Sequence, residues 1–174
     1  MHVKAQDKKR FSTIQDLVEE TCKNSLDQVA LEFEKRTTTF KTLSLYSTKV
    51  EHLLKEKCGA VEGNLIAIMM DPSDLQIMAL LGVLKASCIF VPIDPNFPKN
   101  RVNYILNNSK SLVVITDGRL YHQLDEFNGH ILQLRIDDNE IFQHEIRAGN
   151  LSNSLRLNRD IVYCYYTSGS TGRF

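Results

Sequence analysis

The stretch LIAIMMDPSDLQIMALLGVLKASCIFVPIDP, residues 65–95, decides the fold of this chain. It opens with a continuous apolar run, 65–70, which is too short for an amphipathic helix and is ended by Asp-Pro-Ser at 71–73. This pattern predicts a buried strand, followed by a helix whose first turn contains that proline and serine. A second apolar run at 88–91 predicts another strand, so strand and helix alternate as they do in a parallel sheet covered on both faces.

The same alternation continues on both sides of this stretch. Upstream, the sequence predicts a helix over 13–23 with a capping box of Ser12 and Gln15, a hairpin over 29–40, and a helix that runs from Leu43 up to Gly59. Downstream, it predicts a turn at 92–95, a helix after Pro98, a strand at 112–116, a short helix near 120–127 and a strand at 131–136. The predicted fold class is therefore α/β, with a largely parallel sheet flanked by helices. Gly82 lies on the apolar face of the helix after residue 73, where we expect it to permit a close approach of helix to sheet.

The last third of the chain is less regular. Residues 137–160 are polar and rich in asparagine, so we expect a mostly irregular connection with at most one helical turn. The apolar stretch 161–166 then predicts a buried strand. We expect its tyrosines, Tyr163, Tyr165 and Tyr166, to pack against the flanking helices.

Composition and charge exclude several classes of function. The 174-residue chain is 43% hydrophobic and 24% charged, as ordinary soluble globular proteins are. It has 21 basic and 21 acidic residues, so no overall field draws it to nucleic acid or to an anionic membrane. No uncharged apolar run approaches the roughly 18 residues of a membrane span. We expect a disordered leader over 1–11 and one folded unit over 12–174.

The cysteines and histidines form no recognisable metal or redox motif. The cysteines are scattered without a C-x-x-C pair, which predicts free thiols in a reducing compartment, and hence a cytoplasmic protein. The histidines show no metal-ligand spacing, so we expect surface or satisfied structural groups and no metal site. These residues are Cys22, Cys58, Cys88, Cys164, His2, His52, His122, His130 and His144.

The segment TSGSTG at 167–172 is the candidate binding site. Its hydroxyl and backbone N–H groups can donate to a polyanion, and its glycines leave room for one. We predict that it binds phosphate at the carboxyl edge of the sheet, where the preceding strand ends. The alternative is a flexible Gly/Ser tail without a ligand, whereas the Walker-type spacing of a P-loop is absent. The candidate residues are Thr167, Ser168, Gly169, Ser170, Thr171 and Gly172.

Three stretches, in the same order, resemble the core motifs of the adenylate-forming (AMP-binding) superfamily, which contains peptide-synthetase adenylation domains, acyl-CoA synthetases and luciferases. They are FKTL at 40–43, LKASCIFVPIDP at 84–95 and YCYYTSGSTG at 163–172. The first is unspecific alone, and the third is the most specific. The continuation NFPKNRVNYIL at 96–106 is similar to the form found in peptide-synthetase adenylation domains, which favours them over acyl-CoA synthetases.

This resemblance implies a two-step ligase reaction. A carboxylic or amino acid attacks the α-phosphate of ATP, giving an acyl-adenylate and pyrophosphate. A thiol, commonly phosphopantetheine on a carrier protein, then takes the acyl group. ATP with Mg²⁺ is the implied cofactor, and Thr167 to Gly172 would hold its β- and γ-phosphates by positioning and charge stabilisation.

The sequence departs from the family pattern at two places. Ser87 and Cys88 stand where the second motif has small residues such as glycine and alanine, which we expect to affect packing. The third motif usually continues to proline, lysine and glycine, whereas this chain continues with Arg173 and Phe174, so the usual cation is absent unless Arg173 replaces it. The resemblance places no catalytic residue on this chain.

We therefore expect the N-terminal part of an adenylation domain that does not activate a substrate by itself. Two alternatives stay open: a fragment of an acyl-CoA synthetase, and a truncated, non-catalytic binding or regulatory product.

Overall fold

The computed structural model describes residues 13–119, 121–137, 142–149 and 161–167. The predicted leader over 1–11 lies outside these ranges and stays a prediction. The α-helices of the described ranges are α1 (Ile14–Asn24), α2 (Phe40–His52), α3 (Asp74–Lys85) and α4 (Lys99–Ser109). The strands are β1 (Val29–Phe33), β2 (Arg36–Thr39), β3 (Leu65–Met69), β4 (Ile89–Pro92), β5 (Val113–Thr116), β6 (His130–Ile136) and β7 (Phe142–Arg147). A π-helical turn, Leu53–Lys57, extends α2, and a 3-10 helix, Tyr121–Leu124, follows β5.

The central sheet is largely parallel, as the sequence predicts. Its strand order is β4-β3-β5-β6-β7, and only the β6–β7 pair among these is antiparallel. The chain passes from β3 to β4 on one side and then crosses to β5 on the other side, so the strand order reverses beside β3. Such a reversal leaves a crevice at the carboxyl ends of the strands, which is where open α/β sheets bind ligands.

Helices cover both faces of this sheet. Every residue of β3 is buried, and alternate residues belong to two separate apolar clusters. Ile66 and Ile68 pack with α2 and α3 on one face, whereas Ala67 and Met69 pack with α4 on the other. Burial on both faces explains why β3 is a continuous apolar run rather than an alternating one.

Helix starts follow the predicted capping chemistry, with shifts of a residue or so. At α1 the capping box consists of Thr13 and Asp16, not of Ser12 and Gln15 as predicted. At α2 the side chain of Thr39 accepts from the backbone N–H of Thr42, so residue 40 opens the helix instead of ending the hairpin. These shifts arise because neighbouring hydroxyl side chains offer equivalent caps, and only tertiary packing selects one.

Gly82 permits a close helix contact, but the partner is a helix and not the predicted sheet. A Cβ atom on Gly82 would lie 2.5 Å from the Cβ of Val50 and 2.9 Å from the carbonyl oxygen of Ser47, both on α2. The part of the apolar face of α3 that contains Gly82 therefore packs against α2. Sequence periodicity identifies a buried face without identifying its neighbour.

Ser87 affects the backbone rather than packing, in contrast to the expectation. It is exposed, and its φ of 57° lies in the left-handed region that favours glycine. Cys88, by contrast, is buried in the core, at 3% exposure.

Part of the stretch expected to be irregular, 137–160, is a strand. β7 pairs antiparallel with β6, with Phe142 opposite Ile136 and Arg147 opposite Ile131. In its sequence, FQHEIR, three exposed polar residues separate the apolar Phe142 from Ile146, so it shows no clear hydrophobic alternation. It is held by backbone pairing with β6 and by the packing of Phe142 and Ile146 against the apolar cluster around α2 and α3. Residues 138–141 and 150–160 lie outside the described residues.

Candidate functional site

The segment 161–167, which leads to the candidate loop, lies beside β4. The backbone N–H of Phe90 donates to the carbonyl of Val162 at 3.2 Å, and the N–H of Cys164 donates to the carbonyl of Phe90 at 3.0 Å. Phe90 and Tyr163 form a parallel bridge, and their rings stack with centroids 5.7 Å apart. The segment therefore runs in the direction of β4, on the side away from β3.

This position corrects the prediction of a buried strand over 161–166. The segment forms a single bridge at the edge of the described sheet, and its residues alternate between exposed and half-buried. Tyr163 and Tyr165 are 59% and 65% exposed, so they do not pack against flanking helices as expected. An apolar stretch indicates an extended conformation, but it does not reveal whether strands lie on both of its sides.

Tyr166 alone of the three tyrosines packs as predicted. It lies against the apolar cluster that contains α4. Its hydroxyl donates to Oδ1 of Asn108 at 2.8 Å, and its ring meets that of Tyr104 edge to face at 6.4 Å. Burial raises the pKa of the Tyr166 hydroxyl, which keeps it protonated as a donor.

Thr167 lies at the carboxyl edge of the sheet, close to the start of α4. Its carbonyl oxygen accepts a hydrogen bond from Nη2 of Arg101 at 3.0 Å. The guanidinium of Arg101 also lies over the ring of Phe97, 5.5 Å from the centroid. Among the six candidate loop residues, Thr167 is the one within the described ranges. The placement of Ser168, Gly169, Ser170, Thr171 and Gly172 lies outside them and stays a prediction.

The turn after β4 brings α4 to this edge. Oδ1 of Asp94 accepts from the backbone N–H of Asn96 at 2.8 Å and from its side-chain amide at 3.0 Å. This hydrogen bonding shapes the turn, as the sequence predicts for Asp94. Pro92 differs slightly from the prediction, because it is the last residue of β4 and pairs with Ile68.

A groove of about 1060 Å³ separates the start of α4 from residues 165–167. Its walls are mainly aromatic, with a cation and a carboxylate among them. The lining residues that matter here are Asp94, Phe97, Arg101, Tyr104, Tyr165 and Thr167. Sequence reasoning missed Arg101 as a site residue, although it lies in the stretch 96–106 that carries the family resemblance.

A second polar cluster lies where the strand order reverses. Nη1 of Arg119 contacts Asp71, which follows β3, at 2.9 Å, and its Nε donates to Asp117, which follows β5, at 2.8 Å. Arg119 thus pairs with both carboxylates beside a small cavity of about 160 Å³. The sequence gives no signal for this cluster, because its members come from separate loops.

His130 is neither a surface group nor a fully satisfied one, although the sequence predicts one or the other. It is 6% exposed, and its Nδ1 accepts from the backbone N–H of Gly149 at 3.1 Å. Its Nε2 is buried and has no hydrogen-bond partner among the described residues. Burial lowers the pKa of this imidazole.

Neither a cluster of metal ligands nor a membrane-spanning helix occurs in the described ranges. No three His, Cys, Asp or Glu side chains there come together as possible metal ligands. None of the helices in the described part is both long enough and apolar enough to cross a bilayer.

Comparison with known families decides the relationship. Residues 18–173 match the family described as AMP-binding enzyme. The chain belongs to this family. The resemblance inferred from the sequence motifs is thereby confirmed, and the match covers all of the described residues except the first turn of α1.

This AMP-binding chain is similar to peptide synthetases in particular. Bacitracin synthase 1 of Bacillus licheniformis is 36% identical to it over 161 residues, which are 92% of this chain and 3% of the relative. The chain thus spans a small part of the length of that relative.

Solved structures of peptide synthetases share its fold. The artificially fused adenylation–PCP di-domain NpsA-ThdA of Klebsiella oxytoca matches with a TM-score of 0.62 and 23% identity, over 68% of this chain and 22% of that chain. The nonribosomal peptide synthetase FmoA3 matches with a TM-score of 0.65 and 21% identity, over 83% of this chain and 15% of that chain. At these identities the likeness establishes the fold alone, and it agrees with the predicted largely parallel α/β class.

Proposed function

We propose that this chain is the N-terminal part of an ATP-dependent adenylate-forming ligase of the peptide-synthetase type. In this proposal Thr167, Ser168, Gly169, Ser170, Thr171 and Gly172 bind the β- and γ-phosphates of ATP. The observation that carries the proposal is the contact between Arg101 and Thr167, because it fixes the start of the loop at the carboxyl edge of the sheet. Open parallel sheets bind ligands at this edge.

The loop's chemistry suits the leaving group of the reaction. An oxygen of the substrate carboxylate attacks the α-phosphorus of ATP and forms a new P–O bond, while the bond from that phosphorus to the β-phosphate oxygen breaks. Negative charge then collects on the departing pyrophosphate. Hydroxyl and backbone N–H donors stabilise such charge when they are positioned beforehand. Mg²⁺ would arrive with ATP, and we assign it no protein ligand.

The acid substrate and the acceptor belong to the same proposal. The reaction would activate a small carboxylic or amino acid, and the acyl group would pass to a phosphopantetheine thiol on a carrier protein, releasing AMP. The stretch 96–106 and the identity to bacitracin synthase 1 support a carrier over free coenzyme A. The buried free thiols of Cys22, Cys58 and Cys88 fit a reducing compartment, and we place the protein in the cytoplasm.

We further propose that the 174-residue chain binds nucleotide without forming the acyl-adenylate. The family resemblance assigns it phosphate-binding groups but no catalytic side chain. A non-catalytic binding role is the second candidate, and the exposed aromatic groove favours it: Tyr104 is 43% and Tyr165 is 65% exposed there. Such aromatic surface is typical of sites that contact a partner.

Calorimetric titration of the chain with Mg·ATP and with inorganic tripolyphosphate tests the binding proposal. The triple variant Ser168→Ala, Ser170→Ala, Thr171→Ala should weaken both interactions about tenfold or more, because several charge-assisted hydrogen bonds are lost. Thr37→Ala, which removes an exposed hydroxyl of β2, is the matched control and should bind as the unaltered chain does.

Two results would contradict the binding proposal: no heat of binding with either ligand, or an unchanged affinity in the triple variant. Amino-acid-dependent exchange of labelled pyrophosphate into ATP tests inactivity separately. We expect the chain to catalyse no such exchange, and clear exchange would contradict the proposal that it forms no acyl-adenylate.

A further inference from the structure

Arg101 lies in the stretch 96–106, which carries the family resemblance, but the resemblance assigns it no role. It is in the first turn of α4, three residues after the N-cap Pro98, and it is half-buried. Its guanidinium donates to the carbonyl of Thr167, a residue 66 positions later in the chain. This contact joins the start of α4 to the end of the segment 161–167.

The guanidinium is held in a defined orientation. It lies over the ring of Phe97, which in turn packs against the apolar cluster around α4. A planar guanidinium that stacks on an aromatic ring loses less freedom when it forms a hydrogen bond. Arg101 therefore offers its donor from a fixed point on a rigid helix.

Other contacts hold the segment before Thr167, but at different points. The hydrogen bonds with Phe90 fix Val162 and Cys164, and the hydroxyl of Tyr166 reaches Asn108 at the far end of α4. The contact from Arg101 acts on Thr167, the first residue of the TSGSTG segment. It therefore acts at the residue from which the candidate loop continues.

We propose that Arg101 is a positioning residue for the phosphate-binding loop. By holding the carbonyl of Thr167, it fixes the position of the first residue of the candidate loop. A binding site of fixed donors loses affinity when its supporting contacts loosen by an ångström or so. This inference rests on the proposed phosphate-binding function.

Three variants separate positioning from charge and from packing. Arg101→Gln removes the cation and the fork of donors. Arg101→Lys keeps the charge and one donor group. Lys99→Gln is the control, because it removes one positive charge from the same turn of α4, and the ammonium of Lys99 pairs instead with Glu126 at 3.4 Å.

The variants are compared by two measurements on the 174-residue chain. Calorimetry gives the affinity for Mg·ATP and for inorganic tripolyphosphate. Hydrogen exchange with mass spectrometry gives the exchange rate of peptides that span 163–172. Circular dichroism and thermal unfolding show whether each variant has kept its fold.

We expect Arg101→Gln to weaken the binding of both ligands about tenfold, because a hydrogen bond from a charged donor is lost. Hydrogen exchange over 163–172 should become severalfold faster for the same reason. Arg101→Lys should fall between this variant and the unaltered chain. Lys99→Gln should match the unaltered chain in both measurements. A merely structural role would lower the unfolding temperature without this graded change in affinity.

Three other outcomes would each contradict either the positioning role of Arg101 or the proposed phosphate binding. If Arg101→Gln leaves exchange or affinity unchanged, the positioning role is wrong. If Lys99→Gln weakens binding as much as Arg101→Gln does, charge alone acts, and positioning is again wrong. If the unaltered chain binds neither ligand, the proposed function fails, while the exchange measurement still decides whether Arg101 anchors the segment.

Discussion

Phe90 and Tyr163 lie side by side in a parallel backbone bridge at the outer edge of β4, with their rings stacked 5.7 Å apart. Because the bridge is parallel, the chain after Tyr163 runs toward the carboxyl edge of the sheet. There it meets the start of α4, and Arg101 donates to the carbonyl of Thr167. A pair of aromatic residues thus sets the direction in which the candidate loop leaves the sheet.

Loss of one backbone donor in this bridge should release the segment. Cys164→Pro removes the N–H that donates to the carbonyl of Phe90 at 3.0 Å. We expect faster hydrogen exchange of the Phe90 amide and weaker binding of Mg·ATP. Cys164→Ala is the matched control, because it removes the thiol but keeps the N–H that donates to Phe90. Equal effects of the two substitutions would contradict the bridge.

Replacing Ser87 by glycine should stabilise the fold. Ser87 has a φ of 57°, which costs a residue with a side chain about 1–2 kcal/mol relative to glycine. Part of this gain is offset by the greater freedom of glycine in the unfolded chain, so a net gain of about 0.5–1 kcal/mol is expected from Ser87→Gly. Urea unfolding measures it. Ser87→Ala keeps the unfavourable φ, and a gain of the same size from it would show that the backbone is not the cause.

Adding a methyl group at Gly82 should destabilise the packing of α3 on α2. The new Cβ would lie 2.5 Å from the Cβ of Val50 and 2.9 Å from the carbonyl oxygen of Ser47, so the helices must separate. We expect Gly82→Ala to lower the free energy of unfolding by about 1–3 kcal/mol, despite the better helix propensity of alanine.

A double-mutant cycle with Val50→Ala tests whether this contact is the cause. The double variant should lose less stability than the sum of the two single changes, since Val50→Ala removes a methyl group that the new Cβ would meet. Strict additivity would mean that Gly82→Ala acts somewhere else.

The free energy of unfolding should decrease as the pH falls below 6.5, because His130 is buried. Burial lowers the pKa of its imidazole from the ordinary value of 6.5, so the unfolded chain binds this proton more readily than the folded chain does. The stabilising contribution is complete above pH 6.5 and is lost as the pH falls through the lowered folded-state pKa, with a slope of at most about 1.4 kcal/mol per pH unit.

The variant His130→Gln should flatten this part of the stability profile measured by urea unfolding between pH 7.5 and 5, a range of about one unit either side of the ordinary imidazole pKa. His122→Gln, which changes an exposed histidine, is the control for the substitution of histidine by glutamine itself. Parallel profiles for His130→Gln and the unaltered chain would show that His130 does not titrate differently on folding.

The sequence predicts those elements of the fold that consist of continuous apolar residues. β3, α3 and β4 follow from the stretch 65–95 because burial on two faces demands continuous apolar residues. β7 could not be predicted, since its apolar residues, Phe142 and Ile146, are separated by three exposed polar ones and its backbone pairing with β6 has no local pattern. The contact from Arg101 to Thr167 could not be predicted either, because a hydrogen bond to a carbonyl 66 residues away has no local pattern.

We propose above all that residues 167–172 bind polyphosphate at the carboxyl edge of the sheet. Titration of the isotope-labelled chain with Mg·ATP, followed by amide NMR, tests it most directly. We expect the shifts to concentrate on the amides of 167–172 and on Arg101, whereas Asn64 and Gly129, at the amino edge of the sheet, stay unchanged. Shifts centred on the amino edge, or no shifts at all, would contradict it.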